Sequence, residues 1–397
     1  MSEPTVDTIL PDSCKKWSAS QFKSDYAAHE ADAKANGRPT WRDENMSMDR
    51  LKAGATTMYL CNGNSITSVE DDGSEVVIPP PDLSACKTEW FKNVYAPFDS
   101  EVRKYDSTTV RIVNGDTIDV CHDIMKRYES LEQDRKVIVL NMANQKEPGG
   151  GFVRGRLAQE ENLCFCSALY SCLDKKEYEG PDGFGEFTAS LQLNVPVLRK
   201  GLNDGFPLLK PEERFCINVV SAAGYDRHKL PKEEQKAPLS PEQYAGVYTK
   251  INTILCAAAH AKADAVVLGA LGCGAFANPP NQIAEIFAKV VRRFAGVFEY
   301  VYFAILAAPT DVKLAEFQKN LVGKPVDDPA TYYLPVLTKE EDEAKGAVYM
   351  APKDAAPLPS GPILPPCPKM AECEDTSEEH RSHYEHHPFN PFHADSQ

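Results

Sequence analysis

Five short apolar runs, each rich in β-branched residues, constrain the fold of this chain more than any other feature. They lie at residues 110–113, 137–142, 216–220, 265–271 and 300–306. Runs that are hydrophobic along their whole length are typical of strands buried on both faces, as in parallel sheets covered by helices. The runs therefore predict the α/β class, with a three-layer α/β/α arrangement in which helices cover both faces of the sheet.

Helical patterns occupy the segments between and after these runs, as that class requires. We predict helices at residues 118–131, 158–173, 241–261, 280–294 and 311–321, several of which are opened by Asp, Ser, Thr or Pro. The strands and helices together predict one domain at residues 101–325.

The two ends of the chain have a different texture. Residues 1–100 are polar and poorly periodic, and we predict an N-terminal accessory segment with a helix at 20–35 and a turn at Asp71-Asp72-Gly73 between two extended runs. Residues 326–397 turn Pro-rich and then acidic and His-rich, which predicts a disordered tail.

Composition excludes several classes of protein. A formal net charge of -15 argues against a broad grip on a nucleic-acid backbone, so no direct DNA binding is expected, and an anionic ligand must be held locally by backbone amides. No apolar run of about twenty residues and no secretion signal are present, so we expect no membrane contact. The 12 cysteines are interpreted as reduced thiols, which predicts a cytoplasmic or nuclear location, or both.

Two groups of metal-ligand residue types have ordinary structural interpretations. The spacing of Cys164 and Cys166 fits no common zinc knuckle and favours core packing. A cluster of four histidines in the tail is interpreted as solvated side chains; they are His380, His383, His386 and His387. We therefore predict neither a metal nor a cofactor.

The strongest chemical signal follows the run at 137–142, in the segment LNMANQKEPGGGFVRGRLAQEENL. Gly149, Gly150 and Gly151 suit neither a helix nor a strand, but they permit a backbone whose N–H groups converge on one anion such as a diphosphate. After seven further residues come Gln159, Glu160 and Glu161, in the first turns of the next predicted helix. Open α/β sheets bind ligands at the carboxyl ends of their strands, so Glu160 and Glu161 should face the ligand.

A second glycine-rich segment, GALGCGAFANPP, follows the run at 265–271. Gly272, Gly274 and Ala277 satisfy the loose dinucleotide-binding fingerprint, so a Rossmann cofactor site is one interpretation. The late position in the chain and the absence of an acidic residue after the next strand argue against it. A second phosphate-gripping loop, with Phe276 available to cover a ribose, fits better.

These motifs together resemble a known family. The pattern GGG, seven residues, QEE resembles the signature of poly(ADP-ribose) glycohydrolases, and LNMANQKEPGGGF, QEENL and GCGAFANPP resemble its microbial-type branch. The resemblance covers about residues 109–310. It implies a macrodomain fold, with three α/β/α layers around a mixed sheet. It also implies hydrolysis of the ribose-ribose O-glycosidic bond in poly(ADP-ribose), with ADP-ribose or the polymer on modified proteins as the partner.

The resemblance also implies roles for individual residues. Glu161 matches the catalytic acid, and Glu160 matches its neighbouring substrate-positioning carboxylate. Asp116 resembles the aspartate that recognises the adenine amino group, although a simple helix N-cap explains it equally well. The predicted substrate-binding residues are Gly149, Gly150, Gly151, Phe152, Gln159, Asn141, Asn144, Asp116, Gly272, Cys273, Gly274, Ala275 and Phe276.

The chain departs from the family pattern after QEENL, where it reads CFCSALYSCL instead of a basic, serine-containing stretch. The acids are intact, but the substrate range is open. Two alternatives to the glycohydrolase therefore stand: a reader that binds ADP-ribose without hydrolysis, and a hydrolase of mono-ADP-ribosyl linkages on protein or nucleic acid. The sequence predicts no oligomeric state.

Overall fold

The structure is a computed structural model. It describes residues 14–40, 43–92, 104–105, 108–181, 183–294, 296–308, 311–322 and 348–350. Most of the predicted tail, including its histidines, lies outside the described residues.

The described residues contain α-helices of very different lengths. In chain order they are α1 (Ala19–Ala35), α2 (Glu44–Cys61), α3 (Thr117–Ser130), α4 (Gln159–Cys166), α5 (Leu169–Cys172), α6 (Lys232–Lys236), α7 (Pro241–His260), α8 (Pro280–Arg293) and α9 (Val312–Phe317). Short 3₁₀ turns lie at Phe152–Arg154, Lys175–Tyr178, Leu202–Asp204 and Pro211–Glu213, and a π-helical turn lies at Gln318–Val322. No helix among the described residues is both long and apolar enough to cross a membrane.

The strands form one small and one large sheet. In chain order they are β1 (Lys16–Ser18), β2 (Ile66–Val69), β3 (Glu75–Ile78), β4 (Lys87–Lys92), β5 (Thr108–Val113), β6 (Val137–Met142), β7 (Thr188–Val197), β8 (Phe215–Ala222), β9 (Ala265–Leu268), β10 (Tyr300–Ala304) and β11 (Val348–Met350). The order is β1-β2-β3 in the small sheet and β11-β5-β10-β9-β6-β8-β7-β4 in the large one. Strands β5, β10, β9 and β6 run parallel, whereas β11 is antiparallel to β5, so the large sheet is mixed.

The chain packs into two compact units that each combine distant segments. The first comprises Met1–Glu89, Ala143–Phe184 and Gln192–Val219, and the second comprises Trp90–Met142, Gly185–Leu191 and Val220–Gln397. The predicted boundaries at residues 100 and 325 stay a prediction.

The predicted fold class is confirmed. The five predicted strands are present, the one at 137–142 with its predicted bounds and the other four with shifted ends. The helix predicted at 158–173 is wrong as a single element, because the structure breaks it into α4 and α5. Between them Ser167 is extended, with φ -137° and ψ 175°, and forms an antiparallel bridge with Val197. The Ala168 N–H donates to the carbonyl oxygen of Pro196 at 2.9 Å. Pairing with β7, a strand that the sequence analysis missed, therefore outweighs continuation of the helix.

In the first unit, an aromatic cluster packs the N-terminal helix against the chain around α4. Phe22 of α1 lies 5.4 Å from Trp17 and 5.5 Å from Phe206, between ring centroids. Phe206 in turn lies 5.6 Å from Phe165 of α4. The helix predicted at 20–35 and the turn at residues 71–73 are confirmed, but α2, which buries ten of its residues, was not predicted.

In the second unit, the buried carboxylate of Asp264 ties together the starts of several parallel strands. It precedes β9 and accepts hydrogen bonds from the Lys136 N–H before β6 at 2.8 Å and from the Tyr105 hydroxyl at 2.5 Å. Lys104 Nζ lies 3.2 Å away, and the Glu299 N–H before β10 donates to the Asp264 carbonyl. Burial raises the pKa of Asp264, but these donors and the Lys104 charge outweigh burial, so the pKa lies below its ordinary value.

We predict that Asp264→Ala lowers the free energy of unfolding at pH 7 by about 1 to 3 kcal/mol, because it leaves buried donors unsatisfied. Asp264→Asn, which keeps one acceptor oxygen, should cost less. A lowered folded-state pKa stabilises the protein above the unfolded value of about 3.9, and this stabilisation is lost as the pH falls through the folded value. Denaturant unfolding of wild type and Asp264→Asn should therefore converge below about pH 4; a constant gap at all pH values would contradict the assignment.

Candidate active site

Two adjacent carboxylates begin helix α4 in the first unit. Glu160 and Glu161 are its second and third residues, and their relative exposures are only 3% and 8%. The N-cap residue, Ala158, has no side chain that could cap the helix. Acidic side chains in the first turn therefore complement the unsatisfied N–H groups and the helix dipole.

The two oxygens of Glu161 have different surroundings. Oε1 accepts a hydrogen bond from the Gly151 N–H at 2.7 Å, whereas Oε2 is buried without a hydrogen-bond partner among the described residues. Burial raises the pKa of this carboxyl, and the N–H groups of Gly151 and of the first helical turn lower it in part. The net pKa is above the ordinary value, so Glu161 holds its proton to higher pH than an exposed glutamate.

Glu160 is fixed by a different segment of the same loop. Its Oε2 accepts a hydrogen bond from the Asn144 N–H at 2.7 Å. The Asn144 side chain folds back on its own backbone, since Oδ1 accepts from the N–H groups of Lys146 at 2.9 Å and Glu147 at 3.0 Å. This Asx-type turn starts the glycine loop and orients the N–H that holds Glu160.

The glycines let the loop backbone pack directly against both acids. Gly149 and Gly150 have positive φ values of 71° and 59°. A Cβ on Gly150 would lie 2.6 Å from Glu161 Oε1 and 2.9 Å from Glu160 Oε2, which is closer than atoms can approach. Glycine is therefore required here both for its conformation and for the close approach.

The loop N–H groups are already engaged within the protein. The Gly150 N–H donates to the Glu147 carbonyl at 2.9 Å and the Phe152 N–H donates to the Gly149 carbonyl at 3.0 Å, while the Gly151 N–H holds Glu161. In the structure, the glycine loop therefore holds the two acids in place. Diphosphate binding by the same amides stays a prediction.

The remaining predicted residues of the first unit lie around the acids. Phe152 is fully buried, and its ring packs 5.0 Å from Phe165 and 4.9 Å from Tyr170, so it belongs to the core behind the loop. Gln159, the first residue of α4, is half-buried. Cys164 is fully buried, which agrees with core packing.

The second glycine-rich loop lies in the second unit and is closed by Asn278. Its side-chain Nδ2 donates to the carbonyl oxygens of Gly272 at 3.0 Å and Tyr225 at 2.7 Å. Gly272 has a φ of +70°, and Arg227 N–H donates to the Phe276 carbonyl at 3.0 Å. The predicted residues of this loop differ in exposure: Gly274 and Ala275 are exposed, whereas Gly272, Cys273 and Phe276 are half-buried.

A buried lysine that the sequence analysis missed lies against Tyr225, the residue whose carbonyl accepts from Asn278 of this loop. Lys250 of α7 donates to the Glu186 carbonyl, and its ammonium lies 4.8 Å from the centroid of the Tyr225 ring. The Tyr225 hydroxyl donates to the Glu186 carboxylate. Burial lowers the pKa of Lys250 to about 8, and the Glu186 charge opposes this shift. In the sequence, Lys250 stands out only as a single charge on a mostly apolar helix face.

Two further predicted residues of the second unit have local partners. Asp116 is the N-cap of α3, and its carboxylate accepts from the Ile118 N–H at 2.8 Å. The N-cap interpretation is therefore confirmed, and adenine recognition stays a prediction. Asn141, in β6, is fully buried, and its amide donates to the Ser221 hydroxyl at 3.1 Å. Among the residues that the structure describes, no group of three or more His, Cys, Asp or Glu side chains is arranged to hold a metal ion.

Comparison with protein families shows where the chain resembles known proteins. Residues 58–180 match the family described as microbial-type PARG (poly(ADP-ribose) glycohydrolase), catalytic domain. The matched segment includes the glycine loop and both acids. The resemblance that the sequence predicts is therefore confirmed. A search of curated proteins finds no match.

Solved structures of bacterial enzymes share the fold. A poly(ADP-ribose) glycohydrolase from Thermomonospora curvata is 25% identical, with a TM-score of 0.52, and the match covers 69% of this chain and 99% of that chain. The same enzyme bound to the inhibitor ADP-HPD is 24% identical over 68% and 99% of the two chains, again with a TM-score of 0.52. The enzyme from Deinococcus radiodurans in complex with ADP-ribose is 27% identical over 59% and 94%, with a TM-score of 0.48.

We predict that Gly150→Ala destabilises the protein by about 1 to 3 kcal/mol, because a non-glycine residue is strained at positive φ and its Cβ displaces both carboxylates. Gly274→Ala is the matched control, since a Cβ there meets no atom within 4 Å. Its effect should stay within about 0.5 kcal/mol. Denaturant unfolding of the two variants measures the difference, and equal stabilities would contradict the role assigned to Gly150.

A second prediction concerns the pH dependence that Lys250 confers. Between its folded pKa of about 8 and the unfolded value of about 10.4, the unfolded chain binds a proton that the folded protein does not. The free energy of unfolding should therefore rise with pH across this window, relative to Lys250→Met. Denaturant unfolding of both proteins at a series of pH values tests this. Parallel curves from pH 8 upward would mean that Lys250 titrates normally.

Proposed function

We propose that this chain is a poly(ADP-ribose) glycohydrolase of the microbial type, which hydrolyses the ribose-ribose O-glycosidic bond and releases ADP-ribose. The family match over residues 58–180 supports the proposal. The observation that carries it is the pair of unlike oxygens on Glu161. Oε1 accepts the Gly151 N–H, so the proton of the neutral carboxyl resides on Oε2, which is buried and partnerless among the described residues.

This arrangement suits a general acid. Cleavage of a ribosyl bond passes through an oxocarbenium-like state, in which the leaving oxygen takes up a proton. Glu161 donates the Oε2 proton to that oxygen, and the resulting carboxylate is stabilised by the Gly151 N–H. The carboxylate then accepts a proton from the water that attacks the anomeric carbon, which restores the starting state. Help of this kind contributes roughly 10² to 10⁴-fold to the rate.

Glu160 has a separate role in this proposal. The Asn144 N–H donates to its Oε2 at 2.7 Å and fixes the orientation of the carboxyl group. The family resemblance matches Glu160 to a substrate-positioning carboxylate, so we assign it the binding of a ribose hydroxyl, which a carboxylate oxygen can accept. The two neighbouring acids therefore have different roles: Glu160 positions the sugar, and Glu161 transfers the proton.

The other assignments belong to the same proposal. ADP-ribose contacts at Asp116, Asn141 and Gly272 to Phe276 follow from the family resemblance. The substrate is the polymer on modified proteins, with no cofactor and no direct contact with DNA. The cysteines of the described residues carry free thiols, which supports a location in the cytoplasm or nucleus.

The proposal predicts that Glu161→Gln abolishes most release of ADP-ribose from purified poly(ADP-ribose), with a loss in kcat of roughly 10² to 10⁴-fold. Binding of ADP-ribose, measured by calorimetry, should be retained, since a glutamine keeps an oxygen that accepts the Gly151 N–H. In the wild type, kcat should fall as the pH rises through the raised pKa of Glu161, because the fraction of Glu161 that is protonated decreases.

The alternatives give different results in the same assay. Binding without release by the wild type would make this protein a reader of ADP-ribose. Release from mono-ADP-ribosylated protein or nucleic acid, but not from the polymer, would indicate a hydrolase of a different linkage. Full activity of Glu161→Gln would show that Glu161 is not the general acid.

A further inference from the structure

Arg50, in helix α2, is a fully buried cation whose hydrogen-bond acceptors within the described residues are all neutral. Its relative exposure is 1%. Nε donates to the Gly155 carbonyl at 2.6 Å, Nη1 donates to the Tyr26 hydroxyl at 2.6 Å, and Nη2 donates to the Ser47 hydroxyl at 3.2 Å. Arg50 pairs with no carboxylate within the described part of the chain. Burying a guanidinium without a carboxylate partner is energetically costly, so these hydrogen bonds are needed to replace its lost hydration.

Arg50 holds the carbonyl of Gly155, the residue whose N–H donates to the Phe152 carbonyl and closes the turn after the glycine loop. Gly155 has a φ of +66° and caps the 3₁₀ turn at Phe152–Arg154. A Cβ at Gly155 would overlap the Ser47 carbonyl oxygen, so helix α2 packs directly on this peptide. The turn is therefore held by Arg50 and by backbone contact with α2.

The same turn fixes the peptide groups of Gly151. The Gly151 carbonyl accepts from the N–H groups of Arg154 and Arg156, both at 3.0 Å. The Gly151 N–H donates to Glu161 Oε1 at 2.7 Å. Arg50 is thus connected to Glu161 through the backbone: it holds the carbonyl of the peptide between Gly155 and Arg156, the N–H of that peptide holds the Gly151 carbonyl, and the Gly151 N–H holds the carboxyl.

We propose that Arg50 is a positioning residue for Glu161, which acts by holding the turn at residues 151–156 so that the Gly151 N–H meets Glu161 Oε1. This inference rests on the proposed function of Glu161 for its effect on turnover. Arg50 lies before residue 58, at which the family match begins, so that match assigns it no role. Its effect on the acid is transmitted through the loop backbone, and it has no direct contact with the carboxyl.

The test compares three variants. Arg50→Met keeps the bulk of the side chain and removes every donor. Arg50→Lys keeps the charge and one donor group, but loses the rigid fork that reaches several acceptors at once. Tyr26→Phe is the matched control, because it removes one acceptor of the same guanidinium and leaves the bond to Gly155 intact.

Three quantities are measured for each protein. They are kcat and KM for release of ADP-ribose from poly(ADP-ribose), the affinity for ADP-ribose by calorimetry, and the titration of the Glu161 carboxyl by carbon-13 NMR. Thermal unfolding identifies any variant that fails to fold. If Arg50→Met does not fold, Arg50→Lys carries the test.

We expect Arg50→Met to lower kcat by roughly 10 to 100-fold, the scale expected when a catalytic group is misplaced by about an ångström. KM and the affinity for ADP-ribose should change little, and the Glu161 titration should shift. Arg50→Lys should recover part of kcat. Tyr26→Phe should keep the wild-type kcat and the wild-type titration, although it loses stability.

Two results would overturn the inference. One is a wild-type kcat and Glu161 titration in folded Arg50→Met or Arg50→Lys. The other is an equal loss of kcat in Tyr26→Phe, which would show that packing around the guanidinium matters rather than the bond to Gly155. If the wild type releases no ADP-ribose, the proposed function fails, while the NMR titration still decides whether Arg50 positions Glu161.

Discussion

The hydrogen bond from the Gly151 N–H to Glu161 Oε1 is the interaction on which the candidate site depends. Burial alone would raise the pKa of this carboxyl without specifying which oxygen carries the proton. The 2.7 Å bond makes Oε1 the acceptor and leaves Oε2 as the oxygen to be protonated. It also stabilises the anion that forms when the proton leaves. One backbone group therefore supports Glu161 both before and after proton transfer.

The surrounding residues bring the Gly151 N–H and the Glu161 carboxyl together and hold them in place. The backbone must come very close to two carboxylates, and only glycine at position 150 permits that approach. The loop must also stay in place without a side-chain cap at Ala158. Helix α2 supplies that support on both sides of α4, because Arg50 holds Gly155 before it and the Thr57 hydroxyl donates to the Phe165 carbonyl near its end at 2.9 Å. Buried Arg199 donates in turn to the Thr57 hydroxyl at 2.9 Å.

Local patterns in the sequence were enough to predict five of the strands and to place the glycine loop and the acids on the same side of the sheet. Strand β6 at Val137–Met142 and the acids of α4 depend on hydrophobicity and spacing along a short stretch. The supporting residues were not predictable in this way. Arg50 acts on Gly155 across a separation of 105 residues, and its segment shows no clear amphipathic pattern. The break at Ser167 likewise depends on Val197, a partner 30 positions later that no local propensity reveals.

The two glycine-rich loops show why a motif alone does not define a mechanism. Gly150 and Gly274 look alike in the sequence, since each lies in a short glycine cluster after a buried strand. In the structure, Gly150 is buried against carboxylates, whereas Gly274 is exposed with open space where a side chain would be. The N–H groups of Gly150 and Gly151 are engaged by the protein itself. An anionic ligand that took the Gly151 N–H would compete with Glu161 for the donor that orients this acid.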